Sequence, residues 1–302
     1  MDSRVRGNDE FTRAVIDDKR HYRARLNETP VFTLRWKLTL LSVLLRPSGD
    51  REPDAPARDS GRSRIPVNTA RHHALLRDVH YTNDRTKHFE FVTENGSRFE
   101  FRPGQYINVD FNVNGQRLAR AYSVASSPHY DSRFDLCLNI VLGGHVSPSV
   151  FDLKPGDQIE FHGPFGQFVL RDPPDPVSAF IATGTGIAPL RSMVQYLFQK
   201  PCKSEVWLIF GVREEADILY RDEFERLARE HPNFHFIPTL SRPGADWKGH
   251  TGYVQKQIAT YLRDKDGFHA YVCGLKKMVN DVRNQLRSMG YSAKAISCEK
   301  YD

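Results

Sequence analysis

Short apolar runs separated by turn residues occupy the middle of the chain. Between residues 71 and 172 these runs are rich in Val, Ile, Phe and Tyr, and turn motifs such as R-P-G and K-P-G-D stand between them. The pattern predicts six or seven short strands, at residues 73–80, 87–93, 99–101, 106–112, 121–125, 134–141 and 158–163. Strands at this spacing are typical of a small antiparallel β-barrel. Residues 145–153 are the exception and are predicted to hold one short helix.

The pattern changes after a hinge with three prolines at residues 171–176. From there, apolar strands alternate with segments of helical periodicity. The predicted strand–helix pairs are 179–183 with 188–198, 205–211 with 219–230, 234–240 with 254–263, and 270–273 with 276–290, and a final strand covers 293–297. Such alternation is typical of a parallel sheet with helices on both faces. The chain is therefore predicted to have two domains, an N-terminal antiparallel β-barrel at 71–172 and a C-terminal α/β parallel-sheet domain at 177–302.

The first 70 residues differ in composition from both predicted domains. They show no sustained strand alternation, and residues 48–66 consist largely of Pro, Gly, Ser and charged residues, a composition typical of disordered linkers. The opening M-D-S-R-V-R-G-N-D-E resembles short translated repeat elements found at the ends of mis-started bacterial reading frames. We therefore expect residues 1–70 to be a disordered or mis-started extension, with a basic arm or a targeting segment as the alternative.

The net charge of the chain is concentrated near its beginning. The 302 residues carry 43 Lys and Arg against 37 Asp and Glu, a net charge of +6. Residues 1–80 account for +5 of this charge, with 16 basic against 11 acidic residues, and residues 81–302 account for +1. Basic proteins often bind nucleic acid, but a nearly neutral main segment without a recognition motif argues against it. Nucleic acid is therefore not expected as a partner.

The sequence also argues against a membrane protein and a disulfide scaffold. A membrane helix needs about 20 consecutive apolar residues, and the longest candidate, at 38–45, is about half that long. Four cysteines without short spacing predict reduced thiols and a cytoplasmic protein. These cysteines cannot form the C-x4-C-x2-C pattern of an iron–sulfur cluster, and the histidines show no zinc-binding spacing. No metal site is expected.

Two turns and one strand segment are candidate contacts for phosphates or for a ring system. The G-T-G-I-A-P turn at 184–189 follows a predicted strand and opens a helix, so backbone N–H groups and the helix N-terminus can face a phosphate. In the barrel, Arg120 can pair with a pyrophosphate and Ser123 can donate to an acceptor in a ring. The G-G-H-V-S turn at 143–147 precedes the predicted short helix and is a further anion-binding turn. Each of these alone can equally be a packing turn with a capping serine.

Together and in this order, the motifs resemble those of the ferredoxin–NADP reductase family of two-domain flavoproteins. The resemblance covers about residues 71–302 and rests on R-x-Y-S, G-G-x-x-S, G-P-F-G, T-G-T-G-I-A-P, F-G-V-R and C-G. It implies a flavin-binding barrel and a nucleotide-binding α/β domain. The residues implied in flavin binding are Tyr122 and Ser123 at the isoalloxazine, Arg120 at the pyrophosphate, and Gly144 and Ser147 at the flavin phosphates. The residues implied in cradling the nucleotide pyrophosphate are Thr183, Gly184, Thr185 and Gly186.

The C-terminal quarter resembles the plant-type branch of this family. The C-G-L-K-K-M segment at 273–278 is similar to the branch's C-G-L-K-x-M, which implies that Cys273 lies beside the nicotinamide. Glu299 and Tyr301 match its terminal E-x-Y, which implies that Glu299 stabilises charge and that Tyr301 stacks on the flavin and must move for the nicotinamide to enter. Asp302 follows Tyr301, so the chain departs from the branch at this displacement step. From the residues alone, Cys273 can also be a small buried apolar residue and Glu299 a solvated surface charge.

Residues near the end of the third α/β strand bear on the nucleotide preference. The resemblance implies that Ser241 and Arg242 grip the 2′-phosphate of NADPH, which an arginine fork suits, and that Tyr253 lies against the adenine. Thr251 stands where plant-type relatives carry a lysine, so one of two expected cations is missing. NADPH is favoured over NADH, and the choice of FAD over FMN rests on the family alone.

The predicted function is that of a monomeric FAD-dependent reductase. It transfers hydride from NADPH to the flavin, with Ser123 hydrogen-bonded to the accepting flavin nitrogen, and passes single electrons to a separate carrier such as ferredoxin or flavodoxin. One alternative is an NADH-dependent reductase component of an oxygenase system, which the G-P-F-G-x-F segment at 163–168 favours. The other is a non-catalytic flavin-binding regulatory subunit.

Overall fold

The computed structural model describes residues 71–113, 115–128, 132–141 and 146–301. The predicted extension at 1–70 lies outside these ranges, as do Gly144 and Asp302. Both sheets of the described chain belong to one compact unit, so contacts between the two sheets are part of the fold.

The first sheet is antiparallel and has six strands within the described ranges. They are β1 (Arg71–Asn83), β2 (Thr86–Thr93), β3 (Tyr106–Val113), β4 (Gln116–Ser123), β5 (Arg133–Asn139) and β6 (Gln158–Phe165). The strand order is β4-β3-β6-β1-β2-β5, and a bridge between Val124 and Leu136 connects the two ends of that order. The sheet therefore closes on itself, as the predicted barrel requires. The predicted short helix is α1 (Ser147–Phe151).

Phenylalanine side chains fill the barrel. Phe89 and Phe91 of β2 point inward, where they join Phe134 of β5 and Phe161 of β6 in one core. Each of these four side chains is at most 1% exposed. Burying a phenylalanine stabilises a fold by roughly 1.5–3 kcal/mol, and a one-residue slip would turn each ring outward. The aromatic core therefore fixes the register of the strands.

Residues 99–101, which are predicted to be a strand, form none. Phe99 and Phe101 are buried, at 4% and 8% exposure, but their backbone belongs to no sheet. The ring of Phe99 packs against those of Phe134 and Phe161. The apolar pattern here records burial, and strand pairing also needs a neighbouring strand, which this segment lacks.

The second sheet, between residues 177 and 301, is parallel and has six strands in the order β10-β9-β8-β7-β11-β12. These are β7 (Val177–Thr183), β8 (Glu205–Val212), β9 (Phe234–Leu240), β10 (His250–Thr251), β11 (Phe268–Leu275) and β12 (Ile296–Tyr301). The helices between them are α2 (Ile187–Phe198), α3 (Arg221–Glu230), α4 (Val254–Tyr261) and α5 (Lys276–Ser288). No helix of the described residues is both long enough and apolar enough to cross a membrane.

Helices cover both faces of this sheet. In β7, Phe180 contributes to the core that contains α2 and α3, and the next residue, Ile181, contributes to the core that contains α4 and α5. Strands that are buried on both faces form continuous apolar runs, which is why these strands are recognisable in the sequence. The predicted limit at 172 falls between β6 and β7, the limit at 177 coincides with the first residue of β7, and both remain predictions.

The last strand begins later than predicted. Residues 293–295 form a single 3-10 turn, and β12 starts at Ile296. Pairing with β11 places Cys273 opposite Glu299 and Leu275 opposite Tyr301. The later start matters for the site, because it carries the strand through Glu299 and Tyr301 and so fixes both residues against β11.

Candidate functional site

The carboxyl ends of the parallel strands meet at one edge of the second sheet. Thr183 at the end of β7 lies opposite Gly211 of β8, which in turn lies opposite Thr239 of β9. β8 flanks β7 on one side and β11 flanks it on the other, so the strand order reverses at β7. In open parallel sheets, ligands bind at the carboxyl edge where the order reverses. The predicted nucleotide turn lies at this point.

The G-T-G turn (Gly184–Gly186) packs closely against β11. A Cβ on Gly186 would clash with the carbonyl group of Cys273, so only glycine fits there. A Cβ on Gly274 would lie 2.5 Å from Oγ1 of Thr183, and Gly274 also has a φ of +149° that favours glycine. Gly184 is exposed at the surface of the turn.

Thr183, directly before this turn, carries a hydroxyl that can serve as an additional hydrogen-bond donor. Oγ1 of Thr183 is buried and has no partner among the described residues. The helix α2 follows the turn, and no side chain caps its N-terminus. The positive end of the helix dipole at an N-terminus favours an anion. The turn is therefore suited to a phosphate group.

Three hydrogen-bonded side chains join β4 of the barrel to β12 of the parallel sheet. The hydroxyl of Tyr301 donates to Oγ of Ser123 at 2.7 Å, and Oγ of Ser123 donates to Oε1 of Glu299 at 3.1 Å. Ser123 is 8% exposed, and Glu299 and Tyr301 are half-buried. The thiol of Cys273 lies beside them and is hydrogen-bonded to Tyr301. The structure thus brings together all four residues that the sequence predicts to be catalytic.

Burial sets the charge of these groups. It raises the pKa of Glu299 to about 7, and the hydrogen bond from Ser123 opposes this rise. Burial and the neighbouring Glu299 hold the pKa of the Cys273 thiol well above its usual range. The pKa of Tyr301 is also raised well above its usual value, mainly by burial. Glu299 is therefore the member of this group that changes its charge near neutral pH.

Arg120 and Tyr122 lie on the same side of β4, because alternate residues of a strand face the same way. The exposed guanidinium of Arg120 donates to the carbonyl of Ala119 at 2.9 Å, and no carboxylate of the described residues pairs with it. Burial raises the pKa of Tyr122 to about 12, although the charge of Arg120 lowers it. β4 therefore presents a cation two residues from an uncharged ring.

Two arginines lie at the ends of neighbouring strands. The backbone N–H of Ser241 donates to the carbonyl of Val212 at 3.0 Å, and that of Arg242 donates to the carbonyl of Arg213 at 2.8 Å. The side chains of Arg213 and Arg242 are both exposed. Tyr253, which directly precedes α4, is 74% exposed. The predicted contacts for a 2′-phosphate and an adenine thus lie at the same carboxyl edge as the nucleotide turn.

Two family models match the described domains. Residues 73–170 match the oxidoreductase FAD-binding domain, and residues 180–284 match the oxidoreductase NAD-binding domain. Ferredoxin–NADP reductase B of Sorangium cellulosum (strain So ce56) is 39% identical over 224 residues, which make up 72% of this chain and 91% of that protein. The chain belongs to the ferredoxin–NADP reductase family.

Some other relatives of this reductase are longer than the matched region. The phenol hydroxylase P5 protein of Acinetobacter pittii (strain PHEA-2) is 35% identical over 207 residues, which cover 67% of this chain and 58% of that protein. The chain spans somewhat more than half of that relative.

Among solved structures, the cytochrome P450 reductase GcoB of Amycolatopsis has a TM-score of 0.69 and 29% identity, over 76% of this chain and 69% of that one. A ferredoxin NADP+ reductase from Neisseria gonorrhoeae, 22% identical over 77% of this chain and 98% of that one, shares the fold with a TM-score of 0.66.

Membership of the family confirms the predicted class and architecture. This reductase is an NAD(P)H-dependent flavin oxidoreductase with an FAD-binding barrel and a nucleotide-binding α/β domain. The prediction of FAD and NADPH as cofactors is confirmed by the same findings.

The residues of this reductase fit both groups. The unpartnered Thr183 hydroxyl and the uncapped start of α2 suit the pyrophosphate of a dinucleotide. Arg120, free of carboxylates within the described ranges, suits the pyrophosphate of FAD. Ser147 is the first residue of α1, and Gly144 lies outside the described residues, so their contacts with the flavin phosphates stay predictions.

Sequence reasoning did not identify a group of ionic residues between the two domains. Arg191 of α2 forms one ion pair with Asp135 of β5 and another with Glu223 of α3. Arg191 and Asp135 are 8% and 7% exposed. The available signal was a charged residue at a core position of a predicted helix or strand, since such residues are rarely buried without a partner.

One further cluster lies on the barrel. Within the described ranges, Asp110, Glu160 and His162 are close enough together to hold a metal ion. The guanidinium of Arg117 donates to Asp110 at 2.9 Å and to Glu160 at 2.6 Å. Because the arginine already compensates these carboxylates, we assign no metal to the cluster.

Proposed function

We propose that this reductase oxidises NADPH and delivers the electrons one at a time, through FAD, to a separate carrier protein such as ferredoxin or flavodoxin. Bound FAD supplies the link between a two-electron donor and a one-electron acceptor. The observation that carries the proposal is the Tyr301–Ser123–Glu299 chain with Cys273 beside it. This chain connects the FAD-binding barrel to the nucleotide-binding sheet next to the G-T-G turn.

Ser123 is proposed to hydrogen-bond the flavin nitrogen that accepts the hydride. Its hydroxyl accepts from Tyr301 and donates to Glu299, so its proton is held by the carboxylate while Glu299 is ionised. A protonated Glu299 can instead donate to Ser123, which leaves the proton of Ser123 free for an acceptor on the ring. The charge of Glu299 thereby decides what Ser123 can bind.

Cys273 and Tyr301 are proposed to shape the space for the nicotinamide. Cys273 is fully buried and neutral, and it offers a small polarizable surface beside Glu299. The ring of Tyr301 packs against the core that contains Cys273. We propose that Tyr301 covers the flavin in the closed state and moves aside when the nicotinamide enters.

The remaining predicted residues are proposed to hold the cofactors. Those assigned to FAD are Arg120, Tyr122, Gly144 and Ser147. Those assigned to the nucleotide are Thr183, Gly184, Thr185, Gly186, Ser241, Arg242 and Tyr253. The preference for NADPH over NADH rests on Arg242, whose side chain is exposed and whose backbone N–H donates to the carbonyl of Arg213 at the carboxyl edge. A planar guanidinium binds a phosphate dianion more strongly than it binds a ribose hydroxyl.

A second candidate function is that of an NADH-dependent reductase component of an oxygenase system. The phenol hydroxylase P5 protein and the glycine betaine monooxygenase reductase subunit of Pseudomonas aeruginosa (strain UCBPP-PA14) favour it, at 35% and 30% identity. Their matches cover only 58% and 57% of those proteins, whereas the ferredoxin–NADP reductase B match covers 91%. We therefore prefer a ferredoxin or flavodoxin as the acceptor.

We further propose that the enzyme works as a monomer in the cytoplasm. All four cysteines of the chain lie in described residues, and all four are free thiols. Free thiols are typical of proteins in a reducing compartment.

Anaerobic mixing of the FAD-loaded protein with NADPH or NADH tests the proposal. We expect NADPH to bleach the flavin at least about tenfold faster than NADH at equal concentration, because only NADPH offers Arg242 a phosphate. The reduced protein should then reduce an oxidised ferredoxin or flavodoxin. Faster bleaching by NADH, with transfer only to an oxygenase component, would support the second candidate. A flavin that neither nucleotide bleaches would indicate a regulatory subunit.

A further inference from the structure

Arg191 lies in a buried ionic cluster between the barrel and the parallel sheet. Its Nε donates to Oε2 of Glu223 in α3 at 2.8 Å. Its Nη1 reaches across to the barrel, where it donates to the carbonyl of Ala125 at 3.0 Å and to Oδ2 of Asp135 at 3.3 Å. The guanidinium therefore binds both domains at once.

Neighbouring side chains extend this connection. The amide nitrogen of Gln195, one turn further along α2, donates to Oε1 of Glu223 at 2.9 Å. The amide oxygen of Gln195 accepts from the backbone N–H of Ser127 in the barrel at 3.0 Å. The helix α2 is thus hydrogen-bonded to the barrel at two successive turns.

Tyr220 closes the cluster from the other side. Its ring centre lies 4.4 Å from the guanidinium of Arg191, and its hydroxyl is 3.0 Å from Nδ1 of His88 in β2. Tyr220 has a φ of 58° and a ψ of 29°, a left-handed conformation that is unfavourable for a bulky residue. The packing around the cluster holds Tyr220 in this conformation, which indicates a tightly specified contact.

Stability alone is a poor explanation for such a cluster. Burying charged groups removes their hydration, and well-packed apolar residues often stabilise an interface equally well. Hydrogen bonds from a planar guanidinium are directional, so they fix the distance and the orientation of their partners, which apolar contacts do not. The cluster is therefore suited to holding the two domains in one relative position.

The position of Arg191 in the chain connects that function to the site. Arg191 lies in α2, the helix that begins directly after the G-T-G turn. Its acceptor Ala125 follows Ser123 by two residues, and Asp135 hydrogen-bonds through its backbone to the same segment at Ala125 and Ser126. A short rigid path thus leads from the nucleotide turn through Arg191 to Ser123.

We propose that Arg191 is a positioning residue for hydride transfer, which sets the distance between the nucleotide held at the G-T-G turn and the flavin held at Ser123. The proposal rests on the proposed function, because it requires hydride transfer between these two groups. Arg191 contacts neither proposed binding group, so it acts through the placement of the two domains. Small errors in the placement of reacting atoms lower the rate of a reaction strongly while they leave binding largely intact.

The test compares three variants of the FAD-loaded protein with the parent. Arg191→Met removes the charge and the hydrogen bonds but keeps an apolar side chain, and Arg191→Lys keeps the charge without the fork. The matched control is Arg221→Met, because the carboxylates with which Arg221 pairs among the described residues, Glu215 and Glu225, both belong to its own domain. The measurements are FAD occupancy, the Kd for NADP+, the rate of flavin reduction by NADPH, and the rate of flavin reduction by dithionite, which needs no alignment with a nicotinamide.

We expect Arg191→Met to lower the rate of reduction by NADPH by about 10- to 100-fold, with a smaller loss in Arg191→Lys and none in Arg221→Met. The Kd for NADP+ should change less than about threefold, and reduction by dithionite should be unaffected. If Arg191→Met does not fold, the comparison of Arg191→Lys with Arg221→Met decides in the same way.

Three results would overturn the proposal. These are a parental rate in the Arg191 variants, an equal loss in Arg221→Met, and a loss explained by FAD occupancy or Kd alone. A parent protein that dithionite reduces and NADPH does not would instead refute the proposed function, and this inference with it.

Discussion

The barrel and the parallel sheet meet through two groups of polar side chains that differ in charge. In the first group, Ser123, Glu299 and Tyr301 are joined through hydroxyl groups and contain a single carboxyl. In the second group, Arg191 pairs with Asp135 and Glu223 in a network of full charges. Both groups cross the same domain boundary, the first through side chains of β4 and β12 and the second through side chains of β5, α2 and α3.

The difference lies in how each group responds to protons. The pKa of Glu299 is about 7, so the first group can exchange its hydrogen bonds near neutral pH. The neighbouring carboxylates hold the pKa of Arg191 above its usual value, so the guanidinium of the second group stays charged near neutral pH, and above about pH 6 its partner Asp135 is ionised as well. Hydrogen bonds that can be exchanged suit a site in which Tyr301 must move for the nicotinamide ring to enter. A permanent cation suits a contact that holds two domains at a fixed distance.

The largest expected effect comes from breaking the ionic group. Asp135→Asn should lower the free energy of unfolding by about 3 kcal/mol, because it leaves a buried guanidinium with one carboxylate fewer. Burial raises the pKa of Asp135 to about 6 against the opposing effect of Arg191, so the measurement belongs at a pH above that value. Chemical denaturation followed by fluorescence gives the difference.

The control for Asp135→Asn is an exposed ion pair of the same chemistry. Asp281 accepts from Lys277 at 2.7 Å, and the Lys277 side chain is 89% exposed. Asp281→Asn should change the free energy of unfolding by less than about 0.5 kcal/mol. Equal losses in the two variants would show that burial does not distinguish the ionic group from an ordinary surface pair.

The second effect concerns the hydroxyl group of the site. Ser123→Ala should lower the rate of flavin reduction by more than about tenfold, or more than ~1.4 kcal/mol in the barrier, while FAD stays bound. The reason is the loss of the hydroxyl proposed to hydrogen-bond the flavin nitrogen that accepts the hydride. Single-turnover reduction by NADPH measures the rate, and the absorbance spectrum measures FAD occupancy.

Ser178→Ala provides the matched control for this serine variant. Ser178 is a fully buried serine of β7, and its hydroxyl has no hydrogen-bond partner among the described residues. Its removal should leave the rate unchanged. An unaltered single-turnover rate in Ser123→Ala would remove Ser123 from the proposed site.

The two groups also differ in how far the sequence could predict them. Ser123, Cys273, Glu299 and Tyr301 belong to short motifs, and the structure places all four side by side. Their hydrogen-bond partners were not predictable, because Tyr301 and Ser123 are 178 residues apart and meet only through the packing of two domains. Motifs therefore identified the residues, and the fold was needed for the contacts.

The ionic group was harder to predict from the sequence. Arg191 falls within a predicted helix, and Asp135 within a predicted strand, where one charged residue does not alter the periodicity. These two partners lie 56 residues apart in the sequence and meet across the domain boundary. The wrong strand prediction at 99–101 has the same reason. A local apolar pattern indicates that residues are buried, but it does not show which other residues they pair with.

The third effect is a pH dependence of flavin reduction that Glu299 of the first group should set. As pH rises through about 7, Glu299 loses its proton and its carboxylate then holds the proton of Ser123. We therefore expect the rate of flavin reduction to fall by about three- to tenfold from low to high pH. Glu299→Gln should give a flat profile near the low-pH rate, because the amide can still donate to Ser123.

An exposed carboxyl serves as the control for that profile. Glu230, at the end of α3, is exposed, and Glu230→Gln should keep the inflection of the parent. An inflection near pH 7 that persists in Glu299→Gln would assign the titration to another group.

The smallest expected effect is a change in the Kd for NADP+, which should differ between variants of Tyr301 in the first group and Tyr220 beside the second. Tyr301→Phe removes the 2.7 Å hydrogen bond to Ser123 and keeps the ring, whereas Tyr220→Phe removes the 3.0 Å contact with His88 in the ionic group. Each hydrogen bond contributes about 1 kcal/mol, so both variants should lose similar stability.

In Tyr301→Phe that loss also weakens the closed state, so the Kd for NADP+ should fall by up to about fivefold. The Kd should stay constant in Tyr220→Phe, because displacement of Tyr301 does not involve that bond. Titration calorimetry measures both constants, and an equal change in the two variants would mean that the hydroxyl of Tyr301 has no special part in opening the site.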